Sequence, residues 1–273
     1  MSPAPRSVNS ASAIEAVNIS KTYRSKSGED VTAIQDLSFT VKEGEFVSIV
    51  GRSGCGKSTL LKIIAGLLEP SSGSIEVFGS EVRSPLNNVG FVFQHPLLLP
   101  WRNTLDNILL PAELIGQARD RYLDKALDLI SIVGLGGFEK SLPRGLSIGM
   151  QQRVSIARAL LLDPPILLMD EPFASLDELT REEMSSELLR LVQGVRKTVM
   201  FVTHSVSEAV MMGDRVILLS PRPATIRLNL EIRLPRPRYD SMRTTEAYIG
   251  YCEDIRSALG MTHSLRGNIA SVD

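Results

Sequence analysis

Cysteine, histidine and long apolar runs are scarce in this chain of 273 residues. The two cysteines, Cys55 and Cys252, are too few for a disulfide framework, which favours a reducing compartment. No apolar run approaches the roughly 20 residues that span a bilayer. Residues 1–12 are rich in serine, alanine and proline and lack a signal-peptide pattern, so they are predicted to be a disordered leader. These absences predict a cytosolic protein that reaches a membrane only through a partner.

Excess charge of one sign is also missing. Thirty lysines and arginines face thirty-one aspartates and glutamates, which leaves a formal net charge of −1. Bulk charge therefore indicates no nucleic-acid partner. The hydrophobic content of 43% and the charged content of 22% are those of an ordinary globular protein.

The most informative segment that is present is the phosphate-binding pattern G-x-x-x-x-G-K-[ST] at residues 51–59. An apolar run at 46–50 predicts a buried strand before it, and the run at 60–66 predicts a helix after it. A chance glycine-rich turn would not have these flanks. Loop N–H groups and the helix N-terminus attract phosphate oxygens, Lys57 reaches the β- and γ-phosphates, and the Ser58 hydroxyl suits Mg²⁺. The predicted ATP contacts of this loop are Gly51, Arg52, Ser53, Gly54, Cys55, Gly56, Lys57, Ser58 and Thr59.

The rest of the chain predicts an α/β fold: a P-loop NTPase core with an antiparallel β subdomain and an inserted α-helical subdomain. Alternating apolar residues at 14–23 and 31–41 indicate the antiparallel strands. Helical periodicity from about 97 to 161 indicates the insertion. The strand and helix alternation then resumes. Strands are predicted at 74–78, 89–93, 166–170, 198–203, 215–219 and 225–234, and helices at 104–115, 120–133, 149–162, 178–193, 206–212 and 244–259.

Two adjacent acids end the apolar strand at 166–170. Asp170 suits a metal site, and Glu171 suits the base that orients an attacking water. Two solvated carboxylates at an ordinary strand end are the alternative. The phosphate loop upstream favours the functional interpretation.

Taken in order, these motifs resemble those of the ATP-binding cassette (ABC) ATPases, the motor subunits of ABC transporters, from about residue 14 to 219. The resemblance assigns 13–235 to the ATPase domain and leaves 236–273 as a C-terminal helical tail. Seven elements carry it, and a phosphate loop alone would be far less specific. They are Tyr23, the loop 51–59, Gln94, the signature segment 146–153, Asp170 with Glu171, the segment 175–177, and His204.

The resemblance implies ATP and Mg²⁺ as cofactors and a role for each of these positions. Tyr23 would stack on adenine, although it could also be an edge-strand tyrosine. His204 would contact the γ-phosphate and hold the catalytic geometry with Glu171, and Asp177 would lie across a subunit interface. The implied catalytic residues are Glu171, His204, Gln94 and Lys57, and the implied metal ligands are Ser58, Gln94 and Asp170. The other histidines, His95 and His263, are interpreted as structural or solvated.

The signature segment implies a head-to-tail homodimer around two ATP molecules. Ser147 and Gly149 would present a hydroxyl and N–H groups to the γ-phosphate held by the opposite subunit. The family pattern is L-S-G-G-Q, and here Ile148 replaces the first glycine and Met150 the glutamine. A β-branched residue is bulky and tolerates positive φ poorly. Reduced dimer closure and reduced ATPase activity are therefore expected.

The stretch 93–102, Asn107 and the segment 220–223 look like those of the nitrate/sulfonate/taurine importer ATPases. That subgroup implies membrane permease subunits, an external (periplasmic or extracellular) solute-binding protein, and a position on the cytoplasmic face of the cell membrane. A permease helix would dock near Gln94 and Trp101, unless Trp101 is merely a packed aromatic.

Two other functions stay open at this point. One is a soluble cassette protein of DNA repair or translation, although such proteins usually carry paired cassettes, long coiled-coil insertions or basic arms. The other is a regulatory ABC subunit that binds nucleotide but is catalytically weakened by Ile148.

Overall fold

The computed structural model describes residues 12–24, 28–193 and 197–260. Most of the predicted leader, the last 13 residues and His263 therefore lie outside the described residues. In chain order, the strands are β1 (Ser12–Arg24), β2 (Asp30–Lys42), β3 (Phe46–Val50), β4 (Ser72–Val77), β5 (Ser80–Glu81), β6 (Val89–Val92), β7 (Ile166–Asp170), β8 (Thr198–Thr203), β9 (Arg215–Leu219) and β10 (Ile226–Glu231). The α-helices are α1 (Lys57–Ile64), α2 (Thr104–Leu114), α3 (Asp120–Ile132), α4 (Ile148–Leu160), α5 (Glu178–Gln193), α6 (Val206–Met212) and α7 (Glu246–Ala258).

A six-stranded sheet in the order β10-β9-β3-β8-β7-β6 forms the centre of the fold. Its strands from β9 to β6 are parallel, and β10 pairs with β9 in the antiparallel sense. Every residue of β3, β7 and β8 is buried, as expected for parallel strands that are covered on both faces. Because the strands are parallel, the segments that follow β3, β7, β8 and β9 meet at one edge of the sheet.

Two apolar clusters cover the two faces of this sheet. On one face, α1 packs against the four-stranded antiparallel sheet β2-β1-β4-β5, with Leu61 and Ile64 among the buried residues. On the other, α2, α3 and α4 share a cluster with α6 and α7, to which Ile108, Val154 and Val210 belong. The predicted fold class is confirmed: a P-loop α/β core, an antiparallel β unit and helices inserted between β6 and β7.

Element ends differ from prediction by a few residues. Helix α1 begins at Lys57, inside the phosphate loop, and not at residue 60. Strand β10 ends at Glu231 and not at 234, and the two-residue strand β5 was not predicted. Helix α7 begins at Glu246 because the Thr245 side chain caps it by accepting a hydrogen bond from the Tyr248 N–H.

The division at 235/236 stays a prediction. Helix α7, in the predicted tail, shares the core cluster of α6 through Tyr248, Cys252 and Ile255. Among the described helices, none is long and apolar enough to cross a membrane.

Candidate active site

The phosphate loop joins β3 to α1 at the carboxyl edge of the sheet. Gly56 adopts a φ of 126°, and a Cβ there would lie 3.0 Å from the Ala33 carbonyl oxygen, so only glycine fits without strain. The Lys57 side chain is buried, and its Nζ donates to the carbonyl oxygens of Gly51 at 2.9 Å and Arg52 at 3.3 Å. The carbonyl oxygens of the loop therefore hold the Lys57 amine inside the turn that the loop makes.

Asp170, the last residue of β7, lies against the start of α1. The Ser58 hydroxyl donates to Asp170 Oδ1 at 3.0 Å. Burial, and then the charge of Glu171, raise the pKa of the Asp170 carboxyl, while the Ser58 hydrogen bond and Lys57 oppose that rise. Hard oxygen donors of this kind fit Mg²⁺, which usually takes one or two carboxylates and completes its coordination with substrate phosphates and water. The described residues contain no cluster of three or more His, Cys, Asp or Glu side chains placed to hold a metal ion.

Glu171 lies between Lys57 and His204. Its Oε1 is 3.4 Å from Lys57 Nζ, and its Oε2 is 3.2 Å from His204 Nδ1. The residue has a φ of 47°, in the left-handed region that a non-glycine residue rarely adopts. Its N–H donates to the Val202 carbonyl at 3.0 Å, which fixes this turn against β8. Such local strain often occurs at functional sites.

Lys57, Ser58 and Glu171 line one cleft of about 310 Å³, and Asp170 and His204 are not among the described residues that line it. The side chain of Tyr23 is 41% exposed, and its hydroxyl is 3.1 Å from Thr59 Oγ1. The structure thus places Tyr23, Gln94 and Glu171 around the phosphate loop, as the sequence predicted. The lining residues are Tyr23, Ala33, Ser53, Gly54, Gly56, Lys57, Ser58, Thr59, Gln94, Glu171 and Arg222.

Arg222 also lines this cleft, although the sequence patterns did not predict it as a site residue. Its Nη2 donates to the Gly54 carbonyl at 2.6 Å, which ties the loop after β9 to the phosphate loop after β3. The segment 220–223 was noted only as a mark of a subgroup. The signal that was overlooked is an arginine directly after a core strand, at the sheet edge where the phosphate loop lies.

The signature segment forms the tip of α4. Ser147 is the N-cap, and its Oγ accepts from the Met150 N–H at 3.2 Å. A Cβ on Gly149 would lie 2.8 Å from Leu176 Cδ2, so a larger residue there would require the Leu176 side chain to shift. Ile148 is the first helical residue, is 58% exposed, and is not among the described residues with positive φ. The prediction of backbone strain at Ile148 is therefore wrong, because the Ser147 N-cap places Ile148 in helical geometry. Of the two expected effects of isoleucine, only that of its side-chain bulk is left.

Asp177 is exposed and caps α5. Its Oδ1 accepts from the Thr180 N–H at 3.0 Å, and this hydrogen bond lowers the pKa of the carboxyl. None of Ser147, Gly149 and Asp177 is among the described residues that line the cleft of this chain. The structure thus divides the predicted ATP contacts into two groups, one around the phosphate loop and one outside it.

The segment after β6 exposes its aromatic residue. Trp101 is 73% exposed, so the alternative that it is a packed aromatic is wrong. Asn107 is fully buried, accepts from the Leu99 N–H, and donates to the carbonyl of Arg102, among others. It shapes the loop that carries Trp101. His95 is exposed, as predicted for a solvated histidine, and Cys55 is buried, as predicted for a packing role.

Comparison with known proteins agrees with this geometry. The family model described as "ABC transporter" matches residues 34–174. An uncharacterised ABC transporter ATP-binding protein of Methanocaldococcus jannaschii, MJ0412, is 46% identical over 242 residues, which cover 89% of each chain. The aliphatic sulfonates import ATP-binding protein SsuB of Bacillus cereus is 42% identical, covering 81% of this chain and 87% of its own. The taurine import ATP-binding protein TauB of Jannaschia sp. is 44% identical, covering 80% and 81%.

Solved structures of similar fold are ABC cassettes. The dimeric post-hydrolysis state of the cassette MJ0796 bound to ADP and Pi is 34% identical, with a TM-score of 0.73 over 81% of this chain and all of that one. A second dimeric structure of MJ0796 is 35% identical with the same TM-score. This chain belongs to the ABC transporter ATP-binding family, an ATPase family, and the predicted resemblance is confirmed.

Proposed function

We propose that this chain is the ATP-hydrolysing subunit of an ABC importer that takes up a small anionic solute of the nitrate, sulfonate or taurine kind. The observation that carries the proposal is Glu171, held between Lys57 and His204 at the mouth of the phosphate loop. The relatives named for sulfonate and taurine import support the solute class.

In this mechanism the loop N–H groups and Lys57 bind the β- and γ-phosphates. The Glu171 carboxylate accepts a proton from a water molecule whose oxygen attacks the γ-phosphorus, and the bond from that phosphorus to the ADP oxygen breaks. His204 orients Glu171 and contacts the γ-phosphate, and Gln94 positions the water. Ser58, Asp170 and Gln94 would hold Mg²⁺, which supplies charge neutralisation at the phosphate oxygens.

A second copy of the chain completes the site. The α4 tip, where Ser147 is exposed and Gly149 is half-buried, suits a γ-phosphate bound by another subunit. Asp177 is also exposed and outside the cleft. Two chains would therefore close head-to-tail around two ATP molecules, and the related dimeric cassettes support this arrangement. In that closed state Tyr23 stacks on adenine.

The permease contact is proposed for the groove between β6 and the inserted helices. Apolar side chains line this groove, and one of them, Leu114, is 76% exposed. Trp101, which is 73% exposed, lies close to the groove residues in the chain. A cytoplasmic helix of a membrane-spanning permease would dock here and hold the ATPase at the cytoplasmic face of the cell membrane. A periplasmic or extracellular binding protein would deliver the solute to that permease. Groove residues include Phe91, Phe93, Leu110, Leu114 and Leu162.

A regulatory subunit of the same machine is the second candidate. The 58% exposure of Ile148 at the α4 tip favours it, because this side chain adds bulk where the partner's phosphate would approach. A soluble cassette of DNA repair or translation is less favoured, because the named relatives are import proteins.

The test is Mg-ATP hydrolysis by the purified full chain beside Glu171→Gln. Wild type should turn over ATP, and the variant should bind Mg-ATP with unchanged affinity but lose at least about 100-fold in kcat, as expected for a lost general base. Binding without turnover in wild type would favour the regulatory candidate. No affinity for Mg-ATP would contradict both candidates.

A further inference from the structure

Glu208 is a buried acid on α6, the short helix that follows His204. It is the only charged residue of that helix and is 9% exposed. Its Oε2 accepts from Thr203 Oγ1 at 2.5 Å, and its N–H donates to Ser205 Oγ at 3.2 Å. The Ser205 N–H in turn donates to Thr203 Oγ1 at 3.0 Å. Of the two neighbours of His204, Thr203 is bonded to the Glu208 carboxylate and Ser205 to the Glu208 backbone.

The other oxygen of Glu208 faces Arg181 on α5. Arg181 Nε is 3.6 Å from Glu208 Oε1. The same guanidinium donates to the carbonyl of Leu176 at 2.9 Å and to that of Phe173 at 3.4 Å. The Arg181 N–H also donates to the Asp177 carbonyl at 2.9 Å. Arg181 therefore holds the turn that presents Asp177.

Stability alone does not require an acid at this place. Removing a carboxylate from water is costly, and a buried ion pair often stabilises no better than apolar residues of similar volume. The guanidinium instead bonds the carbonyls of one turn, the carboxylate bonds a hydroxyl of the other turn, and the 3.6 Å charge contact between them joins the two turns. What is fixed here is the position of the turn that carries His204 relative to the turn that carries Asp177, 27 positions earlier in the chain.

We propose that Arg181 and Glu208 are a positioning pair for hydrolysis. They lock the turn carrying His204 to the turn carrying Asp177. His204 contacts Glu171 at 3.2 Å, so the pair sets the position of the catalytic carboxylate through the histidine. Asp177 faces the second subunit in the proposed dimer, so the pair also links the catalytic carboxylate to dimer closure. This inference rests on the proposed function.

The first variant is Glu208→Gln, which keeps an acceptor for Thr203 and removes the charge that faces Arg181. We expect kcat to fall about tenfold, as for other residues that act through orientation, with KM and Mg-ATP affinity within about twofold of wild type. The matched control is Glu45→Gln. Glu45 pairs with Arg215 at 2.7 Å and is similarly enclosed, but it lies at the amino end of β3, away from the cleft. Its kcat should stay at the wild-type value.

A double-mutant cycle tests whether the two residues act as one unit. If they do, the variant carrying both Arg181→Gln and Glu208→Gln loses no more kcat than the worse single variant. Should Glu208→Gln fail to fold, Arg181→Lys carries the test. Lysine keeps the charge but replaces the donor fork by one amine, so kcat should fall and KM should hold.

Three results would overturn the pair. The first is an unchanged kcat in Glu208→Gln or, where that variant does not fold, in Arg181→Lys. The second is a kcat loss matched by Glu45→Gln at equal melting temperature. The third is multiplicative losses in the double variant. Absence of turnover in wild type would instead overturn the proposed function, and the pair with it.

Discussion

The phosphate loop and the α4 tip are both predicted to bind ATP, but they are built in opposite ways. Around the loop, Lys57, Glu171 and His204 contact one another in sequence at 3.4 and 3.2 Å within one chain. At the tip, the Ser147 hydroxyl accepts from its own helix and has no other partner among the described residues, and Ile148 is 58% exposed. The first region lies within one chain, and the second lies outside the cleft of that chain. In the proposed mechanism, one chain therefore binds ATP and two chains are required to hydrolyse it.

The largest expected effect breaks the tip and leaves the loop intact. Ser147→Asp keeps an N-cap, because aspartate caps helices as well as serine does. Its charge would repel the partner's γ-phosphate and cost at least about 100-fold in kcat, the range for losing one transition-state donor. Mg-ATP affinity of the chain should stay at the wild-type value. Ser147→Asn, which caps without charge, is the matched control and should retain most activity.

Mixing two inactive variants sharpens the same comparison. Lys57→Ala lacks a working loop but has an intact tip, and Ser147→Asp has the reverse. In a head-to-tail dimer of one chain of each kind, one of the two sites regains both a working loop and a working tip. An equimolar mixture should therefore recover about a quarter of the wild-type rate if chains pair at random. A mixture as inactive as its components would contradict the shared site.

Sequence patterns predicted the loop region well because its parts are local. The apolar runs of β3, β7 and β8, the glycine-rich loop and the acids after β7 all lie within short segments. Arg222 was missed because its contact with Gly54 depends on β9 lying beside β3, and sheet order is not local information. The pair Arg181 and Glu208 was missed for the same reason, since it joins two helices.

The backbone conformation of the α4 tip was not predicted from the sequence. The family pattern has glycine where Ile148 stands, and that suggested a backbone needing positive φ. Ser147 caps α4 one residue earlier, so position 148 is helical and any residue type fits its backbone. In the proposed head-to-tail dimer, Ile148 would therefore affect closure through the volume of its side chain.

The third prediction concerns the loop alone. Arg222→Ala removes a hydrogen bond of 2.6 Å to the Gly54 carbonyl, on an exposed side chain. A charged hydrogen bond at this strength is worth about 1 kcal/mol when exposed, so KM for Mg-ATP should rise about fivefold while kcat changes little. Steady-state kinetics will measure both. The control is Arg227→Ala, on the neighbouring β10 and outside this cleft, and an equal rise there would show that Arg222 has no specific role.

The smallest expected effect is a gain at the tip. Ile148→Gly removes an exposed branched side chain where the partner's phosphate approaches, but it also places glycine at the first position of α4, which costs up to about 1 kcal/mol of helix stability. The balance should raise kcat by about threefold, because closure improves more than the helix weakens. Ile148→Ala separates the effect on dimer closure from the effect on helix stability, since alanine removes most of the side-chain volume and favours the helix. It should match or exceed the glycine variant. Unchanged turnover in both would mean that the closed dimer accommodates isoleucine, and the tip would then differ from the loop only in needing a partner.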